Sequence, residues 1–165
     1  LNSPFLNAGN TSKPDMTKYI AIFFLLILQY FPAEAQARWT KKEQKVQETV
    51  VSLFQALSER DFNKLKSYCT TDISVLENGI SWNLDTLEQK INSTKAIPDF
   101  KRVNTIGFLD TRVKGKTAWV SYNNRADVIR NGQKGYVQWL ESVVLVKEGK
   151  FWKIQLLHST LIKRG

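Results

Sequence analysis

Apolar side chains recur at Val46, Val50, Leu53, Phe54 and Leu57, the three-and-four spacing that lines one stripe of an α-helix. Thr40 and Glu43 stand ahead of the stripe as a capping box, in which the side chain of each end satisfies a backbone N–H of the other. The spacing predicts a helix from there to about Ser58. Asp61 is placed to cap a second, shorter helix that buries Phe62, Leu65 and Tyr68, after which Thr71-Asp72 leads into a short apolar stretch from Ile73 to Leu76. A third helix is expected from Asp85, with Leu84, Leu87 and Ile91 inward and Pro98 closing the region.

Beyond Pro98 the period becomes that of strands. Lys114-Gly115, Asn131-Gly132 and Glu148-Gly149 are turn signals, and they divide the rest into four antiparallel strands near 101–113, 116–130, 133–147 and 150–162. If each loop has two residues, counting outward from the turns fixes the register. One face then groups Trp152, Leu145, Ala118 and Thr111; then Ile154, Val143, Val120 and Leu109; then Leu156, Glu141, Tyr122 and Gly107; then His158, Trp139, Asn124 and Thr105. That face passes from apolar core to a polar, aromatic patch. The other face mixes Lys153, Gln155 and Ser121 with Ile106, Phe108, Trp119, Leu140 and Leu157, which is too polar for a core and too apolar for plain surface. It predicts a homodimer formed through this outer face. Three N-terminal helices covering the first face make a two-layer α+β domain with a hollow between sheet and helices.

The segment before the first helix changes the expected location. Residues 1–15 carry no fold signal. From Met16 a positive Lys18, an apolar run from Ile20 to Phe31 and the small-x-small triplet Ala35-Gln36-Ala37 read as a cleavable signal peptide. Residues 1–37 are therefore assigned to an upstream extension and leader, and 38–165 to a single domain that is exported, periplasmic or secreted. The run falls short of the roughly 20 apolar residues that span a bilayer, so no permanent anchor is expected. The formal charge of +9 is spread over single and paired lysines without a long basic run, which together with export argues against nucleic acid as partner. A single cysteine, Cys69, admits no internal disulfide, and one cysteine with one histidine cannot supply the usual metal ligand set. Neither a metal nor an organic cofactor is expected.

The stretches FQALSERDFNKLKSYCTTDISV and WLESVVLVKEGKFWKIQLLHST, with three helices followed by a long meander, resemble the nuclear transport factor 2-like superfamily and, within it, SnoaL-like small domains of bacterial exported proteins. The similarity covers roughly Thr40 to Lys163. It implies a strongly bent antiparallel sheet wrapped into a cone around an internal pocket, often dimeric through the outer sheet face. Ketosteroid isomerases, dehydratases and polyketide cyclases belong to that superfamily beside many domains without known activity, and in its catalytic members carboxylates, tyrosines or histidines line the cone.

The register sets the candidate chemistry. Glu141 and His158 fall at diagonal positions of adjacent strands, with Tyr122 opposite Glu141 and Trp139 opposite His158. A buried Glu141 beside imidazole and phenol suits a base toward a carbon acid, with Tyr122 donating to the developing oxyanion. The same three groups equally suit a closed cluster that pairs its own buried polar atoms and reacts with nothing. Trp139, Asn124, Trp82 and Tyr68 are candidate ligand contacts for a small apolar or amphipathic molecule, and His158 is expected to face the cone interior.

Overall fold

The computed structural model describes residues 39–165, so the expected leader lies outside the described residues. Helix α1 (Lys41–Glu59) opens on the Thr40 capping box: Glu43 N donates to Thr40 Oγ1 at 3.3 Å, and Thr40 N donates to Glu43 Oε2 at 2.8 Å. Arg60, in the left-handed region, ends it. Helix α2 (Phe62–Ser67) starts on the Asp61 cap, where Lys64 N donates to the carboxylate at 2.9 Å. Strand β1 (Cys69–Glu77) turns through Asn78-Gly79, both at positive φ, into the short β2 (Ile80–Trp82). Helix α3 (Leu84–Lys95) begins one residue ahead of the predicted start because Asn83 caps it, accepting from Thr86 N at 3.0 Å. The four long strands are β3 (Lys101–Lys114), β4 (Thr117–Arg130), β5 (Gln133–Glu148) and β6 (Phe151–Arg164).

The strands form one curved, unclosed sheet in the order β2-β1-β6-β5-β4-β3. The meander β3 to β6 is antiparallel throughout, while β1 joins β6 in parallel and carries β2 on its free edge. Helix α1 runs against β3, with Gln47 Nε2 donating to Thr111 Oγ1 at 2.8 Å near one end and Ser58 Oγ donating to Asn104 Oδ1 at 3.3 Å near the other. Val46, Val50, Leu53 and Phe54 from that helix meet Val120, Val143, Leu145 and Ile154 from the sheet in a single buried core. This is the expected α+β cone.

Register decides which side chains line the cone, and here sequence counting succeeds on one hairpin and fails on two. The β4–β5 loop is Asn131-Gly132 as expected, and Ala118, Val120, Tyr122 and Asn124 face Leu145, Val143, Glu141 and Trp139 as counted. The other two loops are Gly115-Lys116 and Gly149-Lys150, because a turn with its glycine at the first loop position puts the positive φ there. That moves each pairing by two residues and leaves the faces unchanged. Three single-residue bulges then reverse them, because one extra residue shifts the two-residue alternation by half a period. The pairing register skips Leu109 in β3, and Gln155 and Ile162 in β6.

The corrections follow directly. Beyond the Gln155 bulge Leu157 and Ser159 point inward, and His158, paired with Ser142, is exposed on the outer face. Beyond the Leu109 bulge Phe108, paired with Tyr122, and Ile106, paired with Asn124, pack toward the core where Gly107 and Thr105 were expected. Ile106, Phe108 and Leu157 therefore leave the predicted outer patch; Trp119 and Leu140 remain on it, 42% and 43% exposed, and the bulged Leu109 joins them. Deleting Gln155 removes the bulge but makes the observed pairings consecutive, so plain alternation from Ile154 then keeps Leu157 and Ser159 inward and His158 outward. Urea unfolding of this variant is expected to show a loss of only about 1 kcal/mol, since no core side chain changes face; a loss of roughly 3 kcal/mol or more, the size of a lost buried leucine, would show that the register beyond Ile154 is not the one described.

Candidate functional site

Between the helices and the inner face lies a cavity of about 470 Å³. Leu53, Phe54 and Leu57 of α1, Leu87 and Ile91 of α3, and Ile73, Val75 and Leu157 of the sheet give it apolar walls. Trp82 and Trp139 add aromatic surface, and Glu141 and Ser159 bring polar atoms to it.

Glu141 sits at the inner middle of β5, 5% exposed. Ser159 Oγ donates to its Oε1 at 2.7 Å, and Asn124 Nδ2 donates to its Oε2 at 2.9 Å. The bonds continue behind it: Asn104 Nδ2 donates to Asn124 Oδ1 at 2.7 Å, and Arg102 Nε donates to Asn104 Oδ1 at 2.8 Å. Each donor in this file points toward the carboxylate. Burial nonetheless dominates and raises the Glu141 pKa above the usual carboxylate value, opposed by Ser159, Asn124, Tyr122 and the charge of Arg102. Tyr122 is wholly buried between Phe54 and Phe108, each packed edge-on with ring centroids 6.0 Å away. Burial first, then the neighbouring Glu141, pushes its phenol well above its ordinary value, and among the described residues its hydroxyl has no hydrogen bond of good geometry.

At the open end of the cone Glu77 Oε1 accepts from Trp139 Nε1 at 3.1 Å, and the Arg102 guanidinium lies 5.4 Å from the Trp139 ring centre. Lys90 Nζ stands 4.1 Å over the Trp82 ring. Asp99, in the loop before β3, accepts from the backbone N–H groups of Asn131 and Gly132 at 2.9 and 2.5 Å, and these bonds hold its carboxyl below its usual value. The β4–β5 turn is thereby tied to the loop that carries Phe100, a cavity-lining residue.

Of the residues anticipated for the site, Glu141, Trp139 and Trp82 line the cavity. Tyr122 and Asn124 lie behind Glu141, so Tyr122 is sealed away from a ligand and Asn124 acts through the carboxylate. Tyr68 caps α2 and packs against the core, its carbonyl accepting from Ile154 N at 2.8 Å, and is outside the cavity lining. His158 is on the opposite face, because the Gln155 bulge gives its inward place to Ser159. Sequence counting missed Ser159, Arg102, Glu77, Arg130 and Arg164. Glu77 had a readable signal, since Asn78-Gly79 is the same turn dipeptide as Asn131-Gly132. Arg130 was countable too, since it shares the parity of Tyr122 and Asn124 on the unbulged β4, whereas Ser159, Arg102 and Arg164 depend on bulges.

Residues 46–162 match the family model described as SnoaL-like domain. No curated protein matches the chain. Among solved structures the chain is similar to the calcium/calmodulin-dependent kinase II hub homology domain of Chlamydamonas reinhardtii, with TM-score 0.68 and 22% identity over 75% of this chain and 100% of that one. It is also similar to a ketosteroid isomerase-like protein from Erwinia carotovora atroseptica, with TM-score 0.61 and 14% identity over 76% and 99%. An NTF2-like protein from Cytophaga hutchinsonii gives TM-score 0.61 and 16% identity over 75% and 100%. At these identities the likeness is one of fold.

A carboxyl whose pKa is raised by folding binds more protons in the native than in the unfolded state. Its contribution is full below the unfolded value and is lost as pH rises through the raised folded value. Glu141→Gln removes that titration. Thermal melts across the acidic to neutral range are expected to show the variant gaining on the parent as pH rises, the opposite of what neutralising a depressed carboxylate such as Asp99 would give.

Proposed function

The chain belongs to the SnoaL-like domain family, and on that footing we propose that it is an exported domain whose cone holds a small amphipathic molecule. The observation that carries this reading is the cavity of about 470 Å³, apolar on most sides, with Glu141 and Ser159 on one wall. That size and mixture suit a ligand that buries an apolar body and fixes its orientation through few polar contacts. Assembly belongs to the same reading: Trp119, Leu140 and Leu109 on the outer face favour a homodimer, and two of the similar structures are kinase II hub domains. A dimer through that face leaves the inner face of each cone unobstructed.

Leu87→Trp tests the cavity, because α3 presents Leu87 to it and a larger side chain there fills space without touching Glu141. Native mass spectrometry of protein taken from the culture medium or periplasm of its host is expected to show a bound small molecule on the parent and about a tenfold lower occupancy on the variant. The same spectra are expected to show a chain starting at Arg38 and a dimer. A cytoplasmic full-length monomer carrying nothing would remove all three parts of the proposal.

A second reading is favoured by one observation: Glu141, with its raised pKa, reaches the cavity wall. A carboxyl whose proton affinity is raised by burial is the stronger base once ionised, which suits it to take and return a proton in a cofactor-independent isomerase, dehydratase or cyclase. The proton donor to a developing oxyanion would be Ser159 or the Arg102 guanidinium, since Tyr122 does not reach the cavity. With a ketosteroid or dehydratase-type substrate, Glu141→Gln is expected to lower kcat at least a hundredfold with KM little changed, as read in steady-state kinetics. Equal kcat in variant and parent would leave binding as the function.

A further inference from the structure

The polar lining of the cavity is unequal in charge. Lys90, Arg102, Arg130 and Arg164 contribute cations, against the carboxylates of Glu77 and Glu141. Register explains the convergence of the three arginines. Arg102 pairs with Val128 on β4, which stands two residues before Arg130 on the same face. The Ile162 bulge turns Arg164 inward, opposite Val137, where an unbroken strand would have presented Lys163. All three therefore sit on the inner side at the open end of the cone.

The carboxylates nearby are engaged elsewhere. Glu141 is bonded through both oxygens to Ser159 and Asn124, and Glu77 takes the Trp139 indole N–H. The ion pairs among the described residues are Glu59–Lys64, Asp110–Arg112 and Asp127–Arg125, and none includes an arginine of the mouth. Arg102 spends only its Nε, on Asn104; its terminal nitrogens make no hydrogen bond to a described residue while the group lies against Trp139 and the cavity. Burial lowers the pKa of Arg102, with Glu141 and Glu77 only partly opposing it. Like charges gathered beside an apolar hollow with open donors are stabilised by an anion placed among them.

We propose that the ligand of this cavity is an amphipathic carboxylate, its head group held by Arg102 with Arg130 and Arg164 at the mouth and its apolar body lying along Trp139, Leu157 and the α1 and α3 walls. This rests on reading the cavity as a ligand site. A carboxylate matches the planar fork of a guanidinium, so Arg102 gives geometry as well as charge.

The test is a matched set of probes, octanoate, octanol and octylamine, titrated at neutral pH by isothermal calorimetry with tryptophan fluorescence in parallel. Octanoate is expected to bind about ten- to a hundredfold more tightly than octanol, the range that a charged hydrogen-bonded contact supplies, and octylamine most weakly. Arg102→Met should erase the preference for the acid, whereas Arg102→Lys, which keeps the charge without the fork, should restore part of it; circular dichroism shows whether each is folded. If Arg102→Met does not fold, Arg130→Gln with Arg164→Gln carries the test, with a several-fold loss for octanoate and none for octanol. Equal binding of acid and alcohol, or tightest binding of the amine, would overturn the carboxylate assignment and leave the cavity as a ligand site. Failure of all three probes to bind at millimolar concentration would overturn the ligand-site reading itself.

Discussion

Strict alternation of side chains across a bent sheet is the constraint on which the rest of this molecule depends. Helix α1 and the inner face share one core, so every residue of β3 to β6 is assigned either to that core and its cavity or to the outside by parity alone. A single extra residue in one strand reverses the assignment for everything beyond it. The chain uses this three times, at Leu109, Gln155 and Ile162. The first brings Asn104 and Arg102 inward to continue the hydrogen bonds from Asn124. The second exchanges His158 for Ser159 beside Glu141. The third turns Arg164 to the mouth. Bulges thus bring Ser159, Arg102 and Arg164 to the cavity, while Glu141, Arg130 and most of the apolar lining follow regular periodicity.

That division explains what was legible. The helices were readable because their caps, Thr40 with Glu43 and Asp61, are local and their apolar stripes repeat over several turns. The β4–β5 register was readable because Asn131-Gly132 supports only one tight loop and no bulge interrupts the pair, and Glu141, Tyr122, Asn124 and Trp139 were placed correctly for that reason. His158 was misplaced by a bulge whose residue, Gln155, carries no mark in the sequence: it is neither glycine nor proline, and Leu156-Leu157 offers an apolar side chain to either face. Arg102 and Arg164 read as ordinary surface charges at strand ends for the same reason.

The electrostatic arrangement follows from where each charge meets water. Asp99 and Asp127 lie where neighbouring donors stabilise the ionised form, and both have lowered pKa values as a result. Glu141 and Tyr122 are buried, so desolvation shifts both toward the protonated form although each has polar neighbours. The domain keeps an acid and a phenol in one buried row, separated in role by exposure: the acid touches the cavity and the phenol supports it from behind the Phe54 and Phe108 rings.

The file of donors that ends on Glu141 has a direction, and direction limits how a proton can be accommodated. Asn104 and Asn124 each give through nitrogen and receive through oxygen, so reversing their sense needs both amides to turn over together against the fixed Arg102 N–H. Ser159 is under no such restriction, because its hydroxyl hydrogen rotates and its oxygen accepts as readily as it donates. A proton arriving on Glu141 is therefore received on the Oε1 side, with Ser159 changing from giver to taker while the amide side stays as it is. The two oxygens of one carboxyl group are in this way made unequal, one a permanent acceptor and the other a two-way port facing the strand that the Gln155 bulge re-aimed.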